Sequence, residues 1–226
     1  MAAKPGKSSK NRIPVTPSRW QIWAVVSVLA ITVLFLGYKD LGATGTRGAN
    51  HPTIHEPALP KSGFAWNYQA YGLKTGHPQY FIRGSKVTVV MLMASWCLYC
   101  AYVDKYVWPS IIHTQGLALN IVDISSLSGI GVPGPKNPAF SGHDNVGPVV
   151  NVTGLRRVMS RYVQRFQLTE PNVHAFVDPA GLTYWQVQST PTLLFINAKG
   201  TLVKRVNGAV TSAEAQQIIL SIEKGE

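Results

Sequence analysis

Val87 to Ala94 (VTVVMLMA) is an uninterrupted, largely apolar run of eight residues that leads straight into the chain's two cysteines, Cys97 and Cys100. A strand with no polar alternation suits the centre of a sheet, buried on both faces. Leu117 to Ile124 (LALNIVDI) is a second run of the same kind. Between them, Cys97 to about His113 reads as a helix, bent or ended around Pro109. Thr153 is placed to cap a further helix. In it Leu155, Val158, Met159, Tyr162, Val163 and Phe166 follow helical spacing, and Arg156, Arg157, Arg161 and Arg165 form a solvated face. Val173 to Val177 is a short strand. Leu193 to Ile196 and Thr201 to Val206 flank the turn Asn197-Ala198-Lys199-Gly200 as a hairpin. Thr211-Ser212-Ala213-Glu214 is a capping box, and Ala215, Ile218, Ile219 and Ile222 mark the buried stripe of a last helix. Strand–helix–strand units followed by a hairpin and a helix imply a layered α/β domain.

The cysteines carry the chemistry. They are spaced Cys-x-x-Cys, and no third cysteine exists to make a structural bridge, so the pair is a redox couple or half of a metal site. A structural zinc site usually takes four ligands, and no second Cys-x-x-Cys completes one. Placed between a strand and a helix, Cys97 meets the unbonded amides and the positive end of the helix, which favour its thiolate, the attacking species. Cys100, one turn on, can resolve a mixed disulfide from within the same chain.

The N-terminal third follows different rules. Residues 1–19 carry five basic side chains and no acid, and Trp20 to Tyr38 (WQIWAVVSVLAITVLFLGY) is uncharged for 19 residues. As a helix it would span about 28 Å, close to the hydrocarbon thickness of a bilayer. Trp20, Trp23 and Tyr38 lie near its ends, as interfacial aromatics do, and the preceding cations favour a cytoplasmic N-terminus. The division expected is a basic cytoplasmic tail (1–19), a transmembrane anchor (20–38), a Gly- and Pro-rich linker (39–62) and an extracytoplasmic domain (63–226). A cleaved signal peptide is the alternative, although its apolar region would be shorter. The formal charge of +11 does not indicate nucleic acid, because the densest basic cluster adjoins the apolar run.

Ser189-Thr190-Pro191-Thr192 adds a second motif, an X-Pro bond before an apolar strand, where a cis peptide can occur. Here a resemblance becomes explicit. Met93-Ala94-Ser95-Trp96-Cys97-Leu98-Tyr99-Cys100 is similar to the thioredoxin active-site segment. Val187 to Ile196, with Gly200 and Gly208, is similar to its cis-proline loop and terminal hairpin. The helix at 154–167 and the segment His174-Ala175-Phe176-Val177-Asp178-Pro179 resemble the membrane-anchored TlpA/ResA-type branch, which reduces extracytoplasmic disulfides, including those of apocytochrome c. The resemblance implies the thioredoxin fold, a central mixed sheet flanked by helices, preceded here by one transmembrane helix. It also implies that Pro191 packs beside the cysteines and that the backbone at Thr190 pairs with an extended substrate. Electrons would pass to or from membrane or secreted thiol proteins, with no organic cofactor or metal.

Three positions depart from the pattern. Met91 stands where thioredoxin has a buried aspartate. Val103 stands where the TlpA/ResA branch often has a glutamate; Asp104 next to it could stand in as a proton acceptor for Cys100, but reads more simply as an exposed helix residue. Pro109 lies farther from the cysteines than the family's helix proline. Trp96 and Tyr99 are the aromatic candidates for substrate contact, though each also suits an ordinary surface aromatic. His113 and His174 suit ordinary structural roles. Ser125 to Val152, rich in Gly and Pro, is long for a loop; it either shapes partner choice or is simply solvated. Two other classes stay open. One is copper delivery on the same fold, which elsewhere uses a Cys-x3-Cys spacing and a distal histidine. The other is a binding module whose cysteines are vestigial.

Overall fold

The computed structural model describes residues 68–225. The expected tail, anchor and linker at 1–19, 20–38 and 39–62 lie outside them. Among the described residues no helix is long and apolar enough to cross a membrane.

The strands are β1 (Gln69–Gly72), β2 (Pro78–Tyr80), β3 (Val87–Met93), β4 (Leu117–Asp123), β5 (Val132–Pro133), β6 (Gly142–His143), β7 (Val173–Val177), β8 (Thr192–Asn197) and β9 (Leu202–Asn207). The helices are α1 (Leu98–Tyr106), α2 (Val152–Arg165), α3 (Gly181–Tyr184) and α4 (Ser212–Lys224). Seven strands form one mixed sheet in the order β2-β1-β7-β4-β3-β8-β9. β3, β4 and β7 run parallel, whereas β1, β2, β8 and β9 pair antiparallel to their neighbours.

β3 and β4 are buried at every position, as their uninterrupted apolar sequences require. Successive side chains of β3 alternate between two cores. Val87, Val89, Met91 and Met93 join a cluster with Val103 of α1, Met159 of α2 and Ile219 of α4. Val90 and Leu92 join Phe81, Phe176, Trp185 and Leu194 in a second cluster. The crossovers β3–α1–β4 and β4–α2–β7 step in the same direction across the sheet, so a common handedness puts α1 and α2 on one face.

Several boundaries differ from expectation for identifiable reasons. The helix after the cysteines stops at Tyr106, and a 3-10 turn over Trp108–Ser110 carries Pro109, whose missing N–H suits an early helical position. Asn151, not Thr153, caps α2: its side chain accepts from the Gly154 amide at 2.9 Å. The capping box on α4 forms, with Thr211 Oγ1 accepting from the Glu214 amide and Glu214 accepting from the Thr211 amide. β1, β2 and α3 are short elements with too little periodicity to read from sequence.

Residues 125–152 are ordered by pairing that no local pattern announces. β5 and β6 form a small antiparallel ladder, and Leu127 bridges Val149. Tyr102 and Tyr106 of α1 donate their hydroxyls to the carbonyls of Lys136 (3.1 Å) and Gly134 (2.9 Å). Phe140 packs against the Tyr102 ring with centroids 4.6 Å apart.

Candidate functional site

β3 ends one residue before Ala94, and the chain turns there into α1. The Cys97 amide donates to the Ala94 carbonyl (3.0 Å), and Cys97 becomes the N-cap of α1 with extended backbone and no side-chain cap of its own. Its sulfur therefore faces amides that lack intrahelical partners. Its thiol is pulled down to about 6 chiefly by a hydrogen bond from Cys100, against the opposing effect of burial; the Cys100 amide, Thr190 and the Tyr99 amide act in the same direction. Cys100 is held well above the ordinary thiol range, by burial first and then by Cys97. Both cysteines are free thiols; Cys97 is 4% exposed and Cys100 fully buried. The two sulfurs thus differ in the way an attacking and a resolving thiol must.

The second motif meets the first. The Thr190–Pro191 bond is cis, and the Cys97 thiol donates to the Thr190 carbonyl at 3.6 Å. Pro191 is buried, and its carbonyl accepts from the Gly208 amide (2.8 Å), which ties the loop to the end of β9. Trp96 is half-buried and donates its indole N–H to Ser125 Oγ (2.8 Å). Tyr99 is 46% exposed, with its ring 6.2 Å from Phe140. His113 is exposed and His174 half-buried. Among the described residues no group of three or more His, Cys, Asp or Glu could hold a metal ion. His51 and His55, spaced His-x3-His, lie outside those residues.

Asp104 corrects an expectation: it is fully buried, not exposed. It sits four residues after Cys100, hence on the same face of α1. The Tyr162 hydroxyl, reaching from α2, donates to its Oδ2 at 2.5 Å, and its Oδ1 has no hydrogen-bond partner. Burial, partly offset by Tyr162 and then by the nearby Trp108 indole, pushes this carboxyl up to about 7. Sequence names Asp104 as a stand-in acceptor but not its burial, because α2 does the covering and Tyr162 reads as any member of an apolar stripe. At Met91, the thioether instead accepts the Trp108 indole N–H at 3.3 Å.

Two further carboxylates flank the cysteine turn. Asp123 ends β4, fully buried, and accepts the amides of Ser95 (3.2 Å) and Ser125 (3.1 Å). Asp144, from the 125–152 segment, accepts the Leu98 amide at 2.8 Å. The Gly131 amide donates to the Ser95 carbonyl (2.8 Å) and the Asn145 amide to the Trp96 carbonyl (3.0 Å). Gly131 lies so close that a Cβ there would run into the Cys97 carbonyl. No signal in the sequence places Asp144 here, because the contact spans 46 positions of patternless chain.

The profile of a family described as a thioredoxin-like domain matches residues 79–222. No curated protein sequence matches the chain. Solved structures of similar fold include a thioredoxin-like protein from Aeropyrum pernix, at 13% identity, covering 68% of this chain and 88% of that one with a TM-score of 0.48. StoA from Bacillus subtilis follows at 16%, 72%, 98% and 0.43. A secreted Mycobacterium tuberculosis disulfide oxidoreductase homologous to E. coli DsbE gives 16%, 68%, 95% and 0.45.

Proposed function

This chain belongs to the thioredoxin-like domain family, and from that premise we propose that it exchanges thiols and disulfides with protein partners through Cys97 and Cys100. The observation that carries the reading is the asymmetry of the two sulfurs: one acidic at a helix start and touching the Thr190 carbonyl, the other buried and protonated behind it.

The Cys97 thiolate attacks one sulfur of a partner disulfide. That S–S bond breaks, a Cys97–partner bond forms, and the first partner thiolate leaves and takes a proton from water. Cys100 then gives its proton to Asp104, whose carboxyl near pH 7 is matched to the task. The Cys100 thiolate attacks Cys97 Sγ, the Cys97–partner bond breaks, and the second partner sulfur leaves as a thiolate that takes the proton now on Asp104, directly or through water. Two electrons and two protons have passed to the partner, and the chain holds a Cys97–Cys100 disulfide. The same steps in reverse oxidise a partner dithiol, and the difference in reduction potential sets the direction. Thr190 offers backbone beside the sulfur for an extended partner segment. Trp96 and Tyr99 supply apolar surface around it.

The proposal extends to the setting. Residues 20–38 hold the domain at a membrane, with 63–226 outside the cytoplasm, as in the TlpA/ResA-type branch, and the partners are membrane or secreted thiol proteins. This is supported by the uncharged 19-residue run and the five cations before it.

The test uses the full-length protein and a synthetic disulfide-bonded peptide. Cys97→Ser abolishes reduction of the peptide. Cys100→Ser accumulates a peptide adduct on Cys97 that the wild-type chain does not. A Cys97→Ser chain that still reduces the peptide at the wild-type rate would end the reading.

A further inference from the structure

The start of α1 offers three amides without partners inside the helix, those of Leu98, Tyr99 and Cys100, while the Ala101 amide bonds to the Cys97 carbonyl (3.1 Å). The Tyr99 and Cys100 amides serve the Cys97 sulfur. The Leu98 amide is taken by Asp144 Oδ1. One helix end thus serves two groups that carry negative charge, a thiolate and a carboxylate. Asp144 is not a freely swinging side chain. Its neighbour Asn145 is bonded through its amide to Trp96 and through its side chain to the Ile130 carbonyl (3.1 Å). Gly131, just ahead of β5, brings another stretch of the segment against the Cys97 carbonyl.

We propose that Asp144 is a positioning residue that sets the redox potential of the Cys97–Cys100 pair, holding it more reducing than the helix end alone would make it. This rests on the exchange reading above. The carboxylate repels the thiolate and occupies an amide that would otherwise favour it. Both effects raise the free energy of the charged reduced form, whereas the disulfide carries no charge to repel. Other polar and titratable groups surround Cys97. Cys100 and Asp104 come from α1 and lie on the buried side, and the Tyr99 phenol lies on the exposed side. Thr190 and Pro191 bring no charge, and Asp123 spends both oxygens on Ser95 and Ser125. Asp144 is exposed, so dissolved ions can screen it, unlike Asp104.

The experiment compares full-length wild type, Asp144→Asn and Asp144→Glu. Asparagine keeps an oxygen for the Leu98 amide and removes the charge. Two quantities are read: the pH dependence of Cys97 alkylation by iodoacetamide, and the dithiol–disulfide equilibrium in a glutathione buffer. Asp144→Asn raises the Cys97 acid constant about two- to fivefold and shifts the equilibrium toward the dithiol by a similar factor. The difference shrinks in high salt, and Asp144→Glu restores wild-type values. Unchanged acidity in Asp144→Asn, or a change that salt does not diminish, overturns the proposal; lost thermal stability with unmoved acidity does so as well, by making the contact structural only. If wild type does not equilibrate with glutathione at all, the exchange reading fails, while the alkylation titration still decides the role of Asp144.

Discussion

Asp104 in α1 and Asp123 at the end of β4 invite comparison. Both are fully buried, and burial pushes each carboxyl up to about 7. Their hydrogen bonds differ. Both oxygens of Asp123 accept backbone amides, from Ser95 and Ser125, and so fix the chain on either side of the sheet's edge. Asp104 accepts one bond, from Tyr162, and keeps Oδ1 unpartnered one turn beyond Cys100. An equal shift in acidity therefore does not mean an equal task. A saturated carboxylate holds structure, and one with a spare acceptor beside a buried thiol can take its proton.

The largest expected effect breaks the pair at Asp104. Asp104→Asn slows decay of the Cys97 mixed disulfide about 100-fold near neutral pH, the usual size of a lost proton acceptor. Stability moves the other way. The folded carboxyl holds a proton up to about pH 7, whereas unfolded it loses one near pH 4. Wild-type stability accordingly falls as pH rises through that window and stays reduced above it. Asparagine has no proton to lose, so above pH 7 the variant gains on the order of 1–3 kcal/mol in denaturant unfolding. An unchanged decay rate would leave Asp104 no different from Asp123.

Asp123→Ala gives the opposite signature. It leaves the Ser95 and Ser125 amides without their acceptor and costs about 2–4 kcal/mol. The measurement belongs below about pH 4, where the carboxyl is neutral both folded and unfolded and its ionisation does not complicate the comparison. Molecules that stay folded still resolve mixed disulfides. Intact stability with collapsed exchange would mean that the two roles are reversed.

The smallest effect sharpens the comparison. Tyr162→Phe removes a bond that favours ionised Asp104. The acidic limb of the pH–rate profile for mixed-disulfide decay moves up by about one unit, with a stability loss of about 1 kcal/mol. A profile that stays in place assigns that limb to some other group.

Much of this architecture was legible in the chain because it is local. The uninterrupted run Val87–Ala94 corresponds to β3, the turn at Asn197-Ala198-Lys199-Gly200 separates β8 from β9, and Thr211 and Glu214 cap α4 as their spacing requires. The expected cis bond before Pro191 is present. What was not legible depends on contacts far apart in sequence. Asp104 looks exposed on α1 until Tyr162 and the rest of α2 cover it, and Asp144 sits in a segment with no periodicity at all. The residues that tune the site are those whose environment is made by another element.

One detail of the cysteine turn reaches beyond it. The Ser95 and Trp96 carbonyls, immediately ahead of Cys97, are each held by a backbone proton from distant chain, at Gly131 and Asn145. Any rearrangement of the turn as its sulfurs join or part is transmitted to those two protons. Their rates of exchange with solvent deuterium are therefore expected to differ between the two oxidation states, a readout that labels neither sulfur.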